Sequence, residues 1–299
     1  MKSLRDFFVL FFFFVLLTYF VMFFRRQEMS SVTDSFGTLT EVSHSDRYFV
    51  LCGEDEVCLK LPMENYLVGA LAASISAEYE TEVLKAQAIL LRGTLYKEYL
   101  ESGNTILDRT KKQDFWSDAQ MQNAWGDSYN ENLQRCVDAV VSTQGVYMAY
   151  DGNPINGFFH AMSAGKTRGL SQAEDGEDFG YLRATTCPEN LSAPEYEQEI
   201  IIRCCEVGEL GECEENGYVI SVKRNGEKIS GQKLQCELGL QSPAFSWKKE
   251  GENYIFTVRG KGHGFGMDQY YANILANKGN GYREILDYFF RNVTYQRVE

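Results

Sequence analysis

The first eighteen positions of interest, Phe7 to Phe24, form an unbroken apolar stretch apart from Thr18 and Tyr19. As a helix they would rise about 27 Å, enough to cross a hydrocarbon core. The stretch ends in Phe23, Phe24, Arg25 and Arg26 rather than in small residues, so it predicts an uncleaved anchor over residues 1–28 instead of a cleaved signal peptide. Basic residues flank both ends, so charge alone leaves the topology open. Residues 29–45 are polar and rich in Ser and Thr, a tether, and the globular domain is expected over 46–299.

Within that domain the pattern changes several times. Two short apolar runs between Arg47 and Leu61 surround the acidic turn Gly53-Glu54-Asp55-Glu56 and predict a hairpin. From Glu80 to Ser102, Leu84, Ala88, Leu91, Leu95 and Tyr99 recur at three- and four-residue spacing, which predicts a helix with Thr81 as its N-cap and Gly103 as its stop. A second helix is predicted over Leu133 to Ser142. Val146–Tyr150 and Ile155–His160 read as a hairpin across Asp151-Gly152. Residues 161–195 read as a long functional loop. Strands are predicted at 199–203, 218–223 and 254–258, with turns at Asn225-Gly226 and Glu250-Gly251, and helical spacing returns at 269–278 and 282–291. Helices and hairpins without regular βαβ alternation indicate an α+β fold, and no internal repeat is present.

Charge narrows the partners. The chain carries 29 basic and 42 acidic side chains, and beyond residue 28 the balance is 25 against 40, a net charge of −15. No basic patch breaks this background, which argues against nucleic acid and leaves a neutral or mixed-charge polymer such as a glycan. Eight cysteines with no C-x-x-C pair argue against zinc ribbons and thioredoxin-like chemistry, and suggest disulfides in an exported domain. Cys52 and Cys58 flank the acidic turn and could face each other. Cys136 reads equally well as a buried thiol on an apolar helix face.

Two segments tempt a functional reading. Ala164-Gly165-Lys166-Thr167 resembles the end of a phosphate-binding loop, but His160 occupies the place where the leading glycine is needed, so nucleotide binding is not expected. Gly260-Lys261-Gly262-His263-Gly264-Phe265-Gly266-Met267 has four alternating glycines, a density that marks unusual dihedrals or close approach to a ligand, or a tight strand-to-helix turn. His160 and His263 lie in these segments and could converge on a site as acid/base groups, glycan hydrogen-bonders or metal ligands. No cofactor is expected: zinc would need further ligands, and no Cys, Asp or Glu lies near His160 at a familiar metal-binding spacing.

Taken in order, the motifs resemble a known family. Leu61-Pro62-Met63-Glu64-Asn65-Tyr66-Leu67-Val68-Gly69, then Ala72-Ala73, then Glu82-Val83-Leu84-Lys85-Ala86-Gln87-Ala88 and Arg92, is similar to the leading motif of the SpoIID/LytB family (stage II sporulation protein D and the amidase enhancer LytB). Thr143-Gln144-Gly145, Tyr150, Ile155 and His160 with Ser163, Gly165 and Thr167 resemble its central hairpin and S-G-G-x-T loop, with Ala164 in place of the first glycine. Leu238 to Ser242 and Gly262 to Gln269 resemble its closing motifs, with Asp268 where serine is common. The resemblance implies a SpoIID-like fold, a short cytoplasmic N-terminus with the domain outside the cell membrane, and action on peptidoglycan. SpoIID-like members are lytic transglycosylases that cut denuded glycan strands during engulfment, and LytB-like members enhance a wall amidase, so glycan strands and an amidase are the expected partners. It also implies that Lys85, Gln87, Arg92, His160, Ser163, Gly165, Thr167, His263, Gly264, Gly266, Met267 and Gln269 line a sugar groove.

One departure bears on activity. The family's catalytic glutamate falls on Ser74, and the methionine and proline after it fall on Ile75 and Ser76. A transglycosylase must protonate the departing glycosidic oxygen and then take a proton from the muramoyl 6-hydroxyl, work that one tuned carboxyl can do and a serine cannot. Losing that acid costs roughly 100- to 10,000-fold in rate. Glu78 and Glu80, four and six residues on, could swing into the site as surrogates, Glu78 being the better candidate; the simpler expectation is that they form a solvated acidic face beginning the following helix.

Overall fold

The computed structural model describes residues 48–52, 58–103, 107–108, 115–172, 177–203 and 207–298. The expected anchor and tether lie outside the described residues. Among the described residues, no helix is long and apolar enough to cross a membrane. In chain order the helices are α1 (Met63–Ser74), α2 (Thr81–Glu101), α3 (Asp118–Trp125), α4 (Tyr129–Ser142), α5 (Gly231–Leu238), α6 (Gln269–Asn277) and α7 (Tyr282–Phe289). Short sheets accompany them, so the architecture is mixed α+β. The chain divides into two compact units, one of residues up to Ser74 with Asn104–Val141, the other of Ile75–Gly103 with Ser142–Glu299.

In the first unit Tyr48–Cys52 and Cys58–Pro62 pair antiparallel, placing the backbones of Cys52 and Cys58 opposite each other as the hairpin reading expects. Helix α1 shows no amphipathic period because Met63 through Ala72 are all buried; a helix apolar on every side belongs inside a core. Gly69 is obligatory there, since a Cβ would lie 2.3 Å from the Phe115 ring. That ring continues a stack through Tyr66 to Phe49, each pair 5.1 Å apart. Ser117 and Gln120 close a capping box on α3. Helix α4 starts at Tyr129, four residues before the predicted Leu133, and buries Cys136, Val137, Ala139 and Val140.

In the second unit α2 supplies the central apolar surface, packing on strand Val146–Tyr150 and on α6 and α7. It matches the predicted helix closely, but its N-cap is Glu80, whose backbone N–H is taken by Asn273 Oδ1 at 2.8 Å, and Thr81 is already helical. Asp151 and Gly152 adopt positive φ (48° and 81°) in a tight turn, as expected. The returning strand is only Asn153–Pro154; Phe159–His160 leaves that sheet and pairs in parallel with Met267–Asp268. The stretch 161–195 holds more structure than a loop, with Leu170–Gln172 paired to Asp178–Leu182 and a 3-10 turn at Pro188–Ser192. A satellite core of Val207, Val219, Val222, Leu234, Leu240, Phe245, Tyr254, Phe256 and Val258 gathers under α5 and the predicted hairpins, whose turns fall at Asn225-Gly226 and Gly251.

Cys136 and Cys187 are buried and unbridged, and Cys213 and Cys236 are exposed and unbridged, so the disulfide expectation is not met at these four. Burial pushes the Cys136 thiol up to about 12, the inert behaviour of a small core residue.

Candidate functional site

The two motif loops of the second unit cross and bond to each other. The parallel register sets Met267 beside Phe159 and Asp268 beside His160. Met162 and Lys261 exchange both backbone hydrogen bonds, at 3.0 and 2.7 Å, and Arg168 N–H donates to Gly264 O at 2.8 Å. Gly260, Gly262, Gly264 and Gly266 all have positive φ. At Gly264 a Cβ would meet the Tyr218 ring at 2.5 Å, and at Gly266 the Phe158 carbonyl oxygen at 2.0 Å. The glycine density therefore serves the approach of one loop of the protein to another.

Asp268 knots this crossing together. Its side chain is fully buried and caps α6, Oδ1 accepting from Tyr271 N–H at 2.9 Å. Oδ2 accepts from Ser163 N–H at 2.8 Å and from Asn190 Nδ2 at 2.5 Å. Asn190 also donates to Ser163 O and Oγ, so the knot joins three segments distant in sequence. Three donors and a helix N-terminus are what a buried carboxylate without a cationic partner requires.

The histidines converge, as the sequence reading anticipates, with ring centroids 5.7 Å apart. His160 Nδ1 lies 3.0 Å from Phe265 O and must carry the proton to donate to it. Its Nε2 is then bare, fully buried and without a hydrogen-bond partner, 4.0 Å from Asp268 Oδ2. Burial lowers the pKa of His160, with Asp268 opposing. His263 Nδ1 accepts from Phe265 N–H at 3.0 Å. Its pKa is pushed down to about 4, chiefly by burial, then by His160 and Arg168. Both rings are thus neutral and hold the loops by their ring nitrogens. No group of three or more His, Cys, Asp or Glu among the described residues could hold a metal ion.

Most of the other expected groove residues are framework. Gln87 and Gln269 are buried and bonded to each other, Gln269 Nε2 to Gln87 Oε1 at 3.2 Å. Arg92, fully buried, donates to Val146 O at 2.9 Å and to Thr143 Oγ1 at 3.4 Å. Thr167 is buried, donating to Arg183 O at 3.1 Å and accepting from Thr185 N–H at 2.8 Å. Ser163 and Met267 are buried, and Gly165 is half-buried with positive φ against Leu191. Lys85 is half-buried on α2 and paired with Glu82 at 2.6 Å, whose other oxygen receives Tyr282 N–H.

Ser74 is the last residue of α1 in the first unit, half-buried, its hydroxyl donating to Leu71 O at 3.1 Å. Glu78 lies in the second unit, exposed, before α2 rather than inside its first turn; its backbone N–H donates to Ser76 Oγ at 3.3 Å, and no ion pair holds its carboxylate among the described residues. Several residues of the knot carried no sequence signal. Arg168 lies over the Phe265 and Tyr218 rings at 4.3 and 5.2 Å and pairs with Glu214 at 2.6 Å. The Tyr218 hydroxyl accepts from Ala164 N–H, and Tyr79 lies near enough to Asp268 that burial and this charge both raise its pKa. Of the knot, the sequence motifs name His160 and Ser163 as groove residues and Asp268 as a departure from serine.

Comparison with known proteins agrees with the motif reading. Residues 53–150 match the family model described as stage II sporulation protein, SpoIID. The chain is 29% identical to stage II sporulation protein D of Bacillus amyloliquefaciens over 260 residues, 80% of this chain and 75% of that protein. It is equally identical to stage II sporulation protein D of Bacillus subtilis, over 80% of this chain and 76% of the relative. An uncharacterised protein of Brachyspira hyodysenteriae is 25% identical over 88% of this chain and 73% of its own. These matches, with the motifs in family order, make the chain similar to the SpoIID family: residues 53–150 carry the family domain, and the likeness to stage II sporulation protein D spans 80% of the chain.

Proposed function

We propose that this chain is a sporulation-related protein of the cell envelope that binds peptidoglycan glycan strands and has lost the ability to cut them. The observation that carries this reading is the contrast between a motif framework tied together by buried hydrogen bonds and Ser74 at the position of the family's acid. The relatives named stage II sporulation protein D support the sporulation setting. The apolar stretch Phe7–Phe24 supports membrane attachment, and the family resemblance supports a domain outside the membrane and a wall amidase as partner. Active cleavage through Glu78 is the competing reading. Against it, nothing among the described residues fixes the Glu78 carboxylate, and a general acid must be held within hydrogen-bond reach of the leaving oxygen.

The test is co-sedimentation of the full chain, in detergent, with purified glycan strands stripped of stem peptides. Retention in the pellet without fragmentation of the strands is expected. Absence of binding overturns the reading, and efficient fragmentation that disappears in Glu78→Gln replaces it with the catalytic one.

A further inference from the structure

The seven-residue strand Glu197–Arg203 forms one edge of a three-stranded antiparallel sheet in the second unit, with Asn253–Arg259 in the middle and Phe245–Glu250 beyond it. Ile200 and Ile202 pack against the satellite core, while Glu197, Glu199, Ile201 and Arg203 alternate on the outer face. Ile201 is 67% exposed, more than any other large hydrophobic side chain among the described residues. The backbone of this edge is open as well. Gly260 N–H donates to Tyr196 O at 2.8 Å, continuing the register that sets Arg259 opposite Glu197. An antiparallel ladder bonds every second residue, so Gln198, Ile200 and Ile202 direct their N–H and C=O groups to Asn253–Arg259, and those of Glu199, Ile201 and Arg203 point away. Arg259 N–H turns to the other neighbour, to Ala244 O at 2.8 Å, as this alternation requires. Among the described residues nothing takes up the outward groups of Glu199, Ile201 and Arg203. The edge carries neither proline nor bulge, the devices by which proteins ordinarily block such a strand.

The order of side chains identifies the partner. Glu199-Ile200-Ile201-Ile202-Arg203 is complementary to its own reverse, acid at one end, base at the other and isoleucine between. We propose that two copies of this chain join along Glu197–Arg203, antiparallel about a two-fold axis at Ile201, merging their three-stranded sheets into one. In that register Ile201 faces Ile201 of the second copy, and Glu199 faces Arg203 of the second copy at both symmetric positions. The residues set opposite each other are the ones whose backbone groups point outward, so each of these pairs exchanges both backbone hydrogen bonds. Arg203 already holds Glu252 of its own sheet, but both side chains stay more than three-quarters exposed, which leaves the guanidinium fork room for a second carboxylate. An axis at Ile200 or Ile202 would instead set Ile201 against Glu199 or Arg203 and leave the exposed isoleucines unmatched. The dimer is independent of whether the chain binds glycan.

The experiment is sedimentation velocity of the full chain in detergent over a concentration series, for the native chain, Glu199→Arg, Arg203→Glu and the double variant Glu199→Arg/Arg203→Glu. A single strand pair is a small contact, so the native chain is expected to be dimeric at about 100 μM and to dissociate on dilution. Each single substitution sets like charges opposite each other at both symmetric positions and should weaken the dimer at least about tenfold. The double variant restores opposite charges in the same register and should regain the native association. Both side chains are exposed, and circular dichroism establishes that the variants fold; Ile201→Lys, which sets two ammonium groups against each other, breaks the same contact by a second route. A native chain that stays monomeric throughout overturns the proposal. A dimer indifferent to all the substitutions also overturns it, since it must form elsewhere, as through the apolar stretch Phe7–Phe24 that every variant keeps. A double variant no better than the singles overturns the axis at Ile201.

Discussion

Asp268 replaces a hydroxyl by an anion in the driest part of the second unit, and its three accepted hydrogen bonds show what the replacement achieves: one carboxylate oxygen pair ties the Ser163 loop, Asn190 and the start of α6. Truncation to alanine would orphan the buried Ser163 and Tyr271 N–H groups and take one acceptor from Asn190. Asp268→Ala should therefore lose about 2–4 kcal/mol in urea unfolding, and Asp268→Asn less, because it retains one acceptor. The histidines give a pH dependence of defined sign. An unfolded chain protonates His263 near the ordinary 6.5, whereas the folded one resists until about 4. The unfolded state thus binds more protons between those values, and stability falls as pH drops through that window, by at most ~3 kcal/mol from His263. The lowered pKa of His160 acts in the same direction. Urea midpoints measured from pH 7 to pH 4 should show the slope, and His263→Gln should flatten it; an unchanged slope would remove His263 from the account.

At the scale of elements, the glycine loop makes a sharp comparison available. Gly266 and Gly279 both have positive φ (73° and 92°), but a Cβ meets backbone at 2.0 Å in the first and nothing within 4 Å in the second. Gly279→Ala should cost about 1 kcal/mol from backbone strain alone, and Gly266→Ala should prevent accumulation of soluble protein. Similar thermal stability for the two variants would mean that the loops do not cross as described. Elements dominated by local pattern were legible beforehand: α2 through its apolar spacing, the Asp151-Gly152 turn through its dipeptide, and the hairpins at Asn225-Gly226 and Glu250-Gly251. Elements set by tertiary burial were not. Helix α1, buried on all sides, has no period to read, and Phe159–His160 looked like the second arm of a hairpin because nothing local marks a parallel partner 108 residues away in Met267–Asp268.

For the whole molecule, the family motif was legible as a set of residues, and the burial of most of them was not. Gln87, Arg92, His160, Ser163, Thr167 and Met267 are buried, and the first five each hydrogen-bond another side chain or the backbone. Arg168, Asn190 and Tyr218 escaped notice because their partners come from segments far apart in the chain. On the proposed reading the cost of the Ser74 departure is chemical, since a serine hydroxyl cannot supply the proton that a departing glycosidic oxygen needs. Restoring a carboxyl should then restore function without rebuilding the fold. The most direct measurement is mass spectrometry of peptide-stripped glycan strands after incubation with the full chain and with Ser74→Glu. The account predicts 1,6-anhydromuramoyl products from Ser74→Glu at least 100-fold above the native chain, the span expected for a positioned general acid. Products released as efficiently by the native chain would contradict it.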